Sequence, residues 1–285
     1  MWVGIPEYKT YTDEFGKVLR TEPWTDEEFD AQYKMIADAG FTLASTPSGA
    51  FSSEHIVRLC EAAEKYGLRY VSGWEISAYS GESKIHITGY NCKRNAAYEK
   101  FMRERVELGF ERAEDSIRKL RGAGIYITLD DAKARRADPA SPVHTMHIAQ
   151  AAAEVSGKTA GEIYEEYLAP GKIAHSVIGR PTPEEAADCI HASGGIASIA
   201  HPGRITLPFE ERERIILALA EYGMDGIEAV YTTHTDRETE YFKTLAARAG
   251  LLVTGGSDTH RESGNYRVGN PPFYPSEKLL SALGI

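Results

Sequence analysis

The 285-residue chain has few cysteines, no apolar run of membrane-spanning length and no excess of basic residues. Its three cysteines, Cys60, Cys92 and Cys189, are widely spaced and form no Cys-x-x-Cys pair. This usage is typical of reduced, structural thiols. No basic-then-apolar leader opens the sequence. We therefore expect a cytoplasmic protein without a membrane partner.

The charge balance is acidic, with 32 Lys and Arg against 42 Asp and Glu and a net charge of −10. An extended nucleic-acid surface needs a basic face, so no nucleic-acid partner is expected. A small phosphorylated substrate remains compatible, because the local charge of a cleft decides its binding. The sequence also lacks a Walker loop, a nucleophile elbow and a dinucleotide-binding glycine run.

Short apolar runs alternate with amphipathic helical segments along most of the chain, which predicts an α/β sheet of parallel strands with right-handed crossovers. A long charged helix is predicted from about Asn95 to Arg121, and between Gly122 and about Gly179 the pattern changes to short helical pieces punctuated by prolines. This segment predicts a small helical insertion. The predicted strands are residues 2–6, 41–45, 68–76, 84–90, 195–200, 226–230 and 251–254.

The segment Gly255-Gly256-Ser257-Asp258-Thr259-His260 follows the last of these strands. Its glycines allow a sharp turn, so Asp258 and His260 emerge at the carboxyl end of the strand, where α/β proteins place their chemistry. Two residues apart in extended chain, the pair projects to one side and suits a metal ion. The alternative is a polar turn in which His260 caps a neighbouring group.

Three more ligand-type residues, Glu75, His86 and His201, lie at or near the ends of other predicted strands. Each has a purely structural alternative. Glu75 is then a charge at a strand end in water, His86 a half-buried histidine with its hydrogen bonds satisfied, and His201 a turn residue before proline. Because strand exits converge, we expect them to meet. Two carboxylates and three imidazoles suit Zn²⁺, Mn²⁺ or Fe²⁺ better than Mg²⁺ or Ca²⁺. Such a cluster supports attack of metal-activated water on phosphorus or a carbonyl.

Five motifs in order resemble those of the polymerase and histidinol phosphatase (PHP) family, most closely its small stand-alone phosphoesterases. The resemblance covers about residues 71–268 and includes a matching segment, 146–149, in the insertion. It implies a distorted (β/α)7 barrel. We therefore expect a PHP-like (β/α)7–8 barrel formed by residues 1–109 and 181–285, with a small helical insertion at 110–180. The motifs are residues 71–77, 85–90, 190–197, 200–204 and 254–260.

The same resemblance implies two or three metals and hydrolysis of phosphomonoesters or cyclic phosphates. By matching motifs, Glu75 bridges two metals, and His86 and His201 ligate the second. Asp258 then belongs to the first metal and His260 to the third.

If a phosphate binds, basic side chains near the strand ends that carry the candidate metal ligands are expected to hold it. Arg204 is the best placed of these, as a catalytic and substrate-binding residue. His147 is a further catalytic candidate, and Arg180 and His234 are further substrate contacts. The alternative for each of the last three is a solvated surface residue.

The first 50 residues depart from the family. The first strand exits as Pro6-Glu7-Tyr8 where the family has a His-x-His pair, and residues 46–49, Thr-Pro-Ser-Gly, stand where it has Asp-His. Asp13 is a loose match to the family's early Asp. We therefore expect fewer ions than the family's two or three. Residues 1–70 weakly resemble the opening of a glycosidase-type (β/α)8 barrel, which raises the hypothesis of a recombined or engineered fusion; natural decay of the metal site gives the same pattern.

The leading hypothesis is a metal-dependent phosphoesterase acting on a small phosphorylated metabolite, such as a nucleotide or sugar phosphate, with activity impaired by the missing ligands. The opposing hypothesis is a non-catalytic or constructed barrel that binds metal or ligand without turnover. A glycosidase-like carboxylate pair among Glu7, Glu75 and Glu228 is also open, since it requires only two acids about 5–10 Å apart.

Overall fold

The computed structural model describes residues 2–4, 8–12, 18–23, 25–38, 43–47, 61–136, 143–258 and 269–285. Nine strands lie within these ranges: β1 Trp2–Gly4, β2 Tyr8–Thr12, β3 Val18–Pro23, β4 Leu43–Pro47, β5 Arg69–Ser80, β6 Ser83–Tyr90, β7 Ile196–Ile199, β8 Gly226–Tyr231 and β9 Leu252–Gly256. The α-helices are α1 Asp26–Asp38, α2 Ala96–Gly122, α3 Leu129–Lys133, α4 Thr145–Ser156, α5 Ala160–Ile163, α6 Pro183–Ala192, α7 Phe209–Tyr222, α8 Asp236–Ala249 and α9 Glu277–Leu283. Residues 61–65 are also helical.

Seven strands form one mixed sheet in the order β1-β4-β5-β6-β7-β8-β9. As predicted, β1, β4 and β5 are parallel neighbours, and so are β7, β8 and β9. Over the described residues the order has two ends, β1 and β9, so the closed barrel predicted from the sequence is not confirmed.

The strand predicted at residues 84–90 does not follow the parallel pattern of the others, because β6 runs antiparallel to β7. Only Gly81 and Glu82 separate β5 from β6. A two-residue turn is too short for a crossover connection, so the chain must reverse direction there. Gly81 supplies the positive φ of +58° that the turn requires.

A second, two-stranded antiparallel sheet pairs β2 with β3. The sequence predicted only a polar segment here. The sequence of Tyr8–Thr12, Tyr-Lys-Thr-Tyr-Thr, contains no aliphatic residue, so it gives no alternation of apolar and polar residues by which a strand could be recognised.

The chain divides into two compact units: residues 1–78, 85–95 and 183–285 form the first, and residues 79–84 and 96–182 the second. The predicted insertion was 110–180. The second unit begins earlier because α2 is one continuous helix of 27 residues. It also includes the β5–β6 turn, where the Tyr79 N–H donates to the Pro181 carbonyl at 2.8 Å.

Each unit has its own apolar core. In the first unit, Val71, Tyr90, Leu252 and Phe273 pack together with α9 behind the sheet. In the second, α2, α4 and α5 bury small and aliphatic side chains against one another. Burial on this scale supplies the main favourable term in folding. Cys92 and Cys189 are free and buried, in line with the predicted structural thiols.

The start of α1 has a reciprocal side-chain cap. The Thr25 N–H donates to Glu28 Oε2 at 2.8 Å, and the Glu28 N–H donates to Thr25 Oγ1 at 3.3 Å. These contacts satisfy donors that the first turn of a helix leaves without partners. Across the described residues, no helix has the length and apolar character to cross a membrane.

Candidate metal centre

Three adjacent strands of the first unit bring Glu75, His86 and His201 together. Glu75 lies on β5 and His86 on β6, while His201 follows the end of β7. Because β5, β6 and β7 are neighbours in the sheet, side chains on one face meet although the residues are far apart in sequence. One ligand atom from each residue lies within 4.8 Å of the others.

The distances show how tightly these donors converge. His86 Nδ1 lies 2.6 Å from Glu75 Oε1 and 3.1 Å from His201 Nε2. His201 Nε2 lies 3.9 Å from Glu75 Oε2. The carboxylate and the two ring nitrogens therefore face one point, as ligands of a single ion do.

Two hydroxyl groups form hydrogen bonds to the side chains of this cluster. Ser77 Oγ lies 3.0 Å from His86 Nε2, and the Thr88 hydroxyl donates to Glu75 Oε2 at 3.4 Å. Because Nε2 of His86 faces Ser77, Nδ1 is the ring nitrogen that faces the cluster. Such outer contacts fix the orientation of metal-binding histidines.

Burial favours the neutral form of His201. His201 is only 7% exposed, and burial lowers its pKa to about 4 despite the nearby carboxylate of Glu75. The imidazole is therefore unprotonated at neutral pH, which a metal ligand must be. One carboxylate and two imidazoles fit a divalent transition metal.

Glu228, on β8, anchors the backbone beside this cluster. Its Oε2 accepts the His201 N–H at 2.7 Å. Burial is the main cause that raises the pKa of Glu228 to about 8, and the charges of Glu75 and Asp258 add to it. An acid kept protonated in this way suits general acid catalysis, but Glu228 is buried and one carboxylate oxygen is occupied by backbone. From the sequence, Glu228 was considered only as a member of a glycosidase-like carboxylate pair.

Arg204 and Asp258 lie near each other but outside the three-ligand cluster. Arg204 Nη1 is 3.2 Å from Asp258 Oδ2, and the Tyr231 hydroxyl donates to the same oxygen at 2.9 Å. Asp258, predicted as a ligand of the first metal, thus pairs with the predicted phosphate contact. Tyr231 was missed, because a tyrosine at the end of a buried strand carries no sequence signal of its function.

His234 supports the turn that follows His201. Its Nε2 accepts the Gly203 N–H at 3.1 Å, and its Nδ1 donates to the Ala229 carbonyl at 3.0 Å. Both ring nitrogens are therefore engaged by backbone groups in this structure. A side chain on residue 203 would lie 2.7 Å from the His234 ring, so glycine allows the approach.

His147 and Arg180 lie in the second unit. His147 Nδ1 accepts the His144 N–H at 3.1 Å at the start of α4, and burial lowers the pKa of His147. Arg180 stacks over the ring of Tyr79, 5.1 Å from its centroid. Their predicted catalytic and substrate-binding roles stay predictions.

The predicted ligands Asp13 and His260 lie outside the described residues, as does Glu7. Among the described residues, the three-residue cluster is the group of histidines and acids whose ligand atoms lie close enough together to hold a metal ion.

Several proteins of known activity are similar in sequence to most of this chain. No protein-family model matches it. A 3',5'-nucleoside bisphosphate phosphatase from Chromobacterium violaceum is 30% identical over 201 residues, 70% of this chain and 70% of the relative. The 5'-3' exoribonuclease Rnm from Escherichia coli is 28% identical over 211 residues, 73% of this chain and 71% of the relative. A phosphoribosyl 1,2-cyclic phosphate 1,2-diphosphodiesterase from Eggerthella lenta is 27% identical over 210 residues, 72% and 78% of the two chains.

Solved structures agree with this similarity. An amidohydrolase from Chromobacterium violaceum, with bound sulfate and no metal, matches with a TM-score of 0.69 and 26% identity over 91% of both chains. A protein from Bifidobacterium adolescentis, assigned as a metal-dependent phosphoesterase, matches with a TM-score of 0.62 and 21% identity over 89% and 90% of the two chains, and this likeness concerns the fold alone. Identity of 30% over more than two thirds of the chain, together with the five ordered motifs, leads to one conclusion: the chain belongs to the PHP family of phosphoesterases.

Proposed function

We propose that this protein is a metal-dependent phosphoesterase that hydrolyses a small phosphorylated metabolite. The observation that carries the proposal is the convergence of Glu75, His86 and His201, whose ligand atoms lie within 4.8 Å of one another. A carboxylate and two imidazoles are a donor set for Zn²⁺, Mn²⁺ or Fe²⁺.

A divalent metal held by these three residues would polarise a phosphoryl oxygen and lower the pKa of water. The protein contributes the rest of the site. Arg204, half-exposed at the rim, is placed to pair with phosphate oxygens, and Asp258 and Tyr231 hold its guanidinium in place. The loss of the amino-terminal family ligands favours fewer ions than the family's two or three.

The substrate class we favour is a phosphate ester of a nucleoside or sugar. Three relatives act on such groups: a nucleoside bisphosphate, a cyclic phosphoribose and RNA. The overall acidic charge predicted that the protein has no nucleic-acid partner. Because the relative Rnm is an exoribonuclease, that prediction is not supported. A nucleoside bisphosphate, a phosphoribosyl cyclic phosphate and a short 5'-phosphorylated RNA therefore belong in the same assay.

Metal content per chain tests the proposal first. We expect about one Zn, Mn or Fe per chain by elemental analysis after metal-free purification and reloading, and loss of that ion in Glu75→Ala and His201→Ala. His191→Ala is the matched control, because its Nε2 also lies 2.7 Å from a carboxylate, that of Asp225, on an exposed surface. Phosphatase activity is then measured on the loaded protein.

Two results would overturn the proposal. One is a wild-type protein that binds no metal under these conditions. The other is bound metal without hydrolysis of any of the three substrates, which would favour the non-catalytic barrel instead. The fusion hypothesis is a separate prediction about origin, and metal content does not depend on it.

A further inference from the structure

The turn that carries His201 has an uncommon backbone. His201 has φ of 29° and ψ of 60°, in the left-handed region that residues other than glycine rarely adopt. Proline at position 202 restricts the residue before it further. A backbone of this kind persists only where surrounding contacts hold it.

One such contact is made by a side chain. The buried carboxylate of Glu228 accepts the His201 N–H at 2.7 Å, across 27 positions of sequence. On the other side of the turn, the Arg204 N–H donates to the His201 carbonyl at 2.9 Å. The N–H and the carbonyl group of His201 are thereby both held by hydrogen bonds, and its ring points at Glu75 and His86.

The surroundings of Glu228 leave its carboxylate little freedom. The β8–β9 register shifts between Glu228 and Val230, and a bulge of this kind redirects side chains near functional sites. On the facing strand, a Cβ on residue 256 would lie 2.5 Å from Glu228 Oε1. Glycine at 256 therefore makes room for the carboxylate.

We propose that Glu228 is the positioning residue of the metal centre: by accepting the His201 N–H, it holds the turn in the conformation that aims the His201 imidazole at Glu75 and His86. The inference rests on the proposed metal site. It assigns Glu228 a role through His201, and Glu228 is not among the residues whose ligand atoms converge in the described part of the chain.

The first experiment needs no metal. Amide hydrogen exchange of His201 is measured by NMR in the metal-free wild type, Glu228→Ala and Glu228→Gln. We expect exchange at least tenfold faster in the alanine variant and near wild type in the glutamine variant, whose amide oxygen still accepts the hydrogen bond. The Ala197 N–H, which donates to Asp225 at 2.7 Å, is the matched control and should keep its rate in both variants.

The second experiment measures the dissociation constant for Co²⁺ or Zn²⁺, with the visible spectrum of bound Co²⁺ as the signature of ligand geometry. We expect affinity to fall about 10–100-fold in Glu228→Ala, as for other outer-sphere partners. Glu228→Gln should stay within about threefold of wild type by the same reasoning. Gly256→Ala, which crowds the carboxylate, should lower affinity and speed His201 exchange, while thermal unfolding confirms that it is folded.

The outcomes separate this inference from the proposed function. Wild-type affinity in Glu228→Ala would overturn the positioning role, and so would equal loss in the alanine and glutamine variants, since the charge itself would then be required. A wild type that binds no metal would overturn the proposed function and the metal-positioning role with it. His201 exchange would still decide whether Glu228 holds the turn.

Discussion

Arg204 Nη1 lies 3.2 Å from Asp258 Oδ2, and the Tyr231 hydroxyl joins the two, accepting from Arg204 at 3.1 Å and donating to Asp258 at 2.9 Å. The residue proposed to hold the phosphoryl group is therefore already paired with an acid. An incoming phosphate competes with Asp258 for the guanidinium.

Neutralising that acid is expected to strengthen phosphate binding. Arg204 is half-exposed, so the ion pair contributes roughly 0.2–1 kcal/mol, and Asp258→Asn should lower the dissociation constant for inorganic phosphate about two- to fivefold. Arg204→Ala should weaken it. Isothermal titration of the loaded protein measures both. Glu213→Gln, which removes the partner of Arg248 in another exposed pair, should have no effect. Weaker phosphate binding in Asp258→Asn would indicate that Asp258 ligates a metal instead.

Replacing the buried acid Glu228 is expected to change how stability depends on pH. Its pKa is raised from 4.5 to about 8, so the folded state favours the protonated form. The contribution of protonated Glu228 to the free energy of unfolding is complete below about pH 4.5 and is lost as the pH rises through 8. Glu228→Gln, which cannot ionise, should therefore gain about 2–4 kcal/mol relative to wild type between pH 5 and pH 9.

Urea unfolding of the metal-free proteins at both pH values measures this difference. Glu221→Gln, at an exposed acid, is the control and should follow the wild-type pH dependence. A Glu228→Gln curve parallel to wild type across the whole range would mean that the Glu228 carboxylate is not desolvated.

The close approach of β5 and β6 makes Gly73 sensitive to substitution. A Cβ on residue 73 would overlap the backbone carbonyl oxygen of Gly89 on the neighbouring strand. Gly73→Ala should therefore cost about 1–3 kcal/mol of unfolding free energy. It should also weaken metal binding, because Glu75 is two residues away on the same strand.

Gly122→Ala is the matched control, since nothing lies within 4 Å of a Cβ built at that position. It should leave the unfolding free energy and the metal affinity near wild type. Equal stability of Gly73→Ala and wild type would show that the two strands separate more easily than their geometry indicates.

Restoring the missing family ligands is expected to add a metal. The combined variant Pro6→His, Tyr8→His, Ser48→Asp and Gly49→His should raise metal content from about one ion per chain to about two, with higher phosphatase activity. Alanine at the same four positions is the control. Unchanged metal content would mean that these positions do not correspond to the family's ligand loops.

Much of the site was predictable from sequence. Glu75, His86 and His201 each lie in one of the short motifs, and the expectation that they meet is confirmed. The predicted position at a strand exit holds for His201, which follows β7. It is wrong for Glu75 and His86, which lie inside β5 and β6 and meet because these strands are neighbours. The helix boundaries were equally accessible, because caps such as Thr25 and Thr235 satisfy local backbone donors and so depend only on neighbouring residues.

Other features depended on contacts between distant segments. The pairing of Arg204 with Asp258 and the anchoring of His201 by Glu228 join residues 54 and 27 positions apart. Strand register, the β8 bulge and the backbone of a single turn set these contacts, and none of them leaves a periodic pattern in the chain.

The sequence by itself determined the family, the alternation of strands and helices and the identity of three candidate metal ligands. The tertiary structure alone decided which of the predicted ligands meet and that Asp258 pairs with Arg204. The reason is physical: residue types and their local spacing fix what a side chain can bind. A distance of 3.1 Å between His86 and His201, 115 positions apart, exists only once the sheet has brought their strands together.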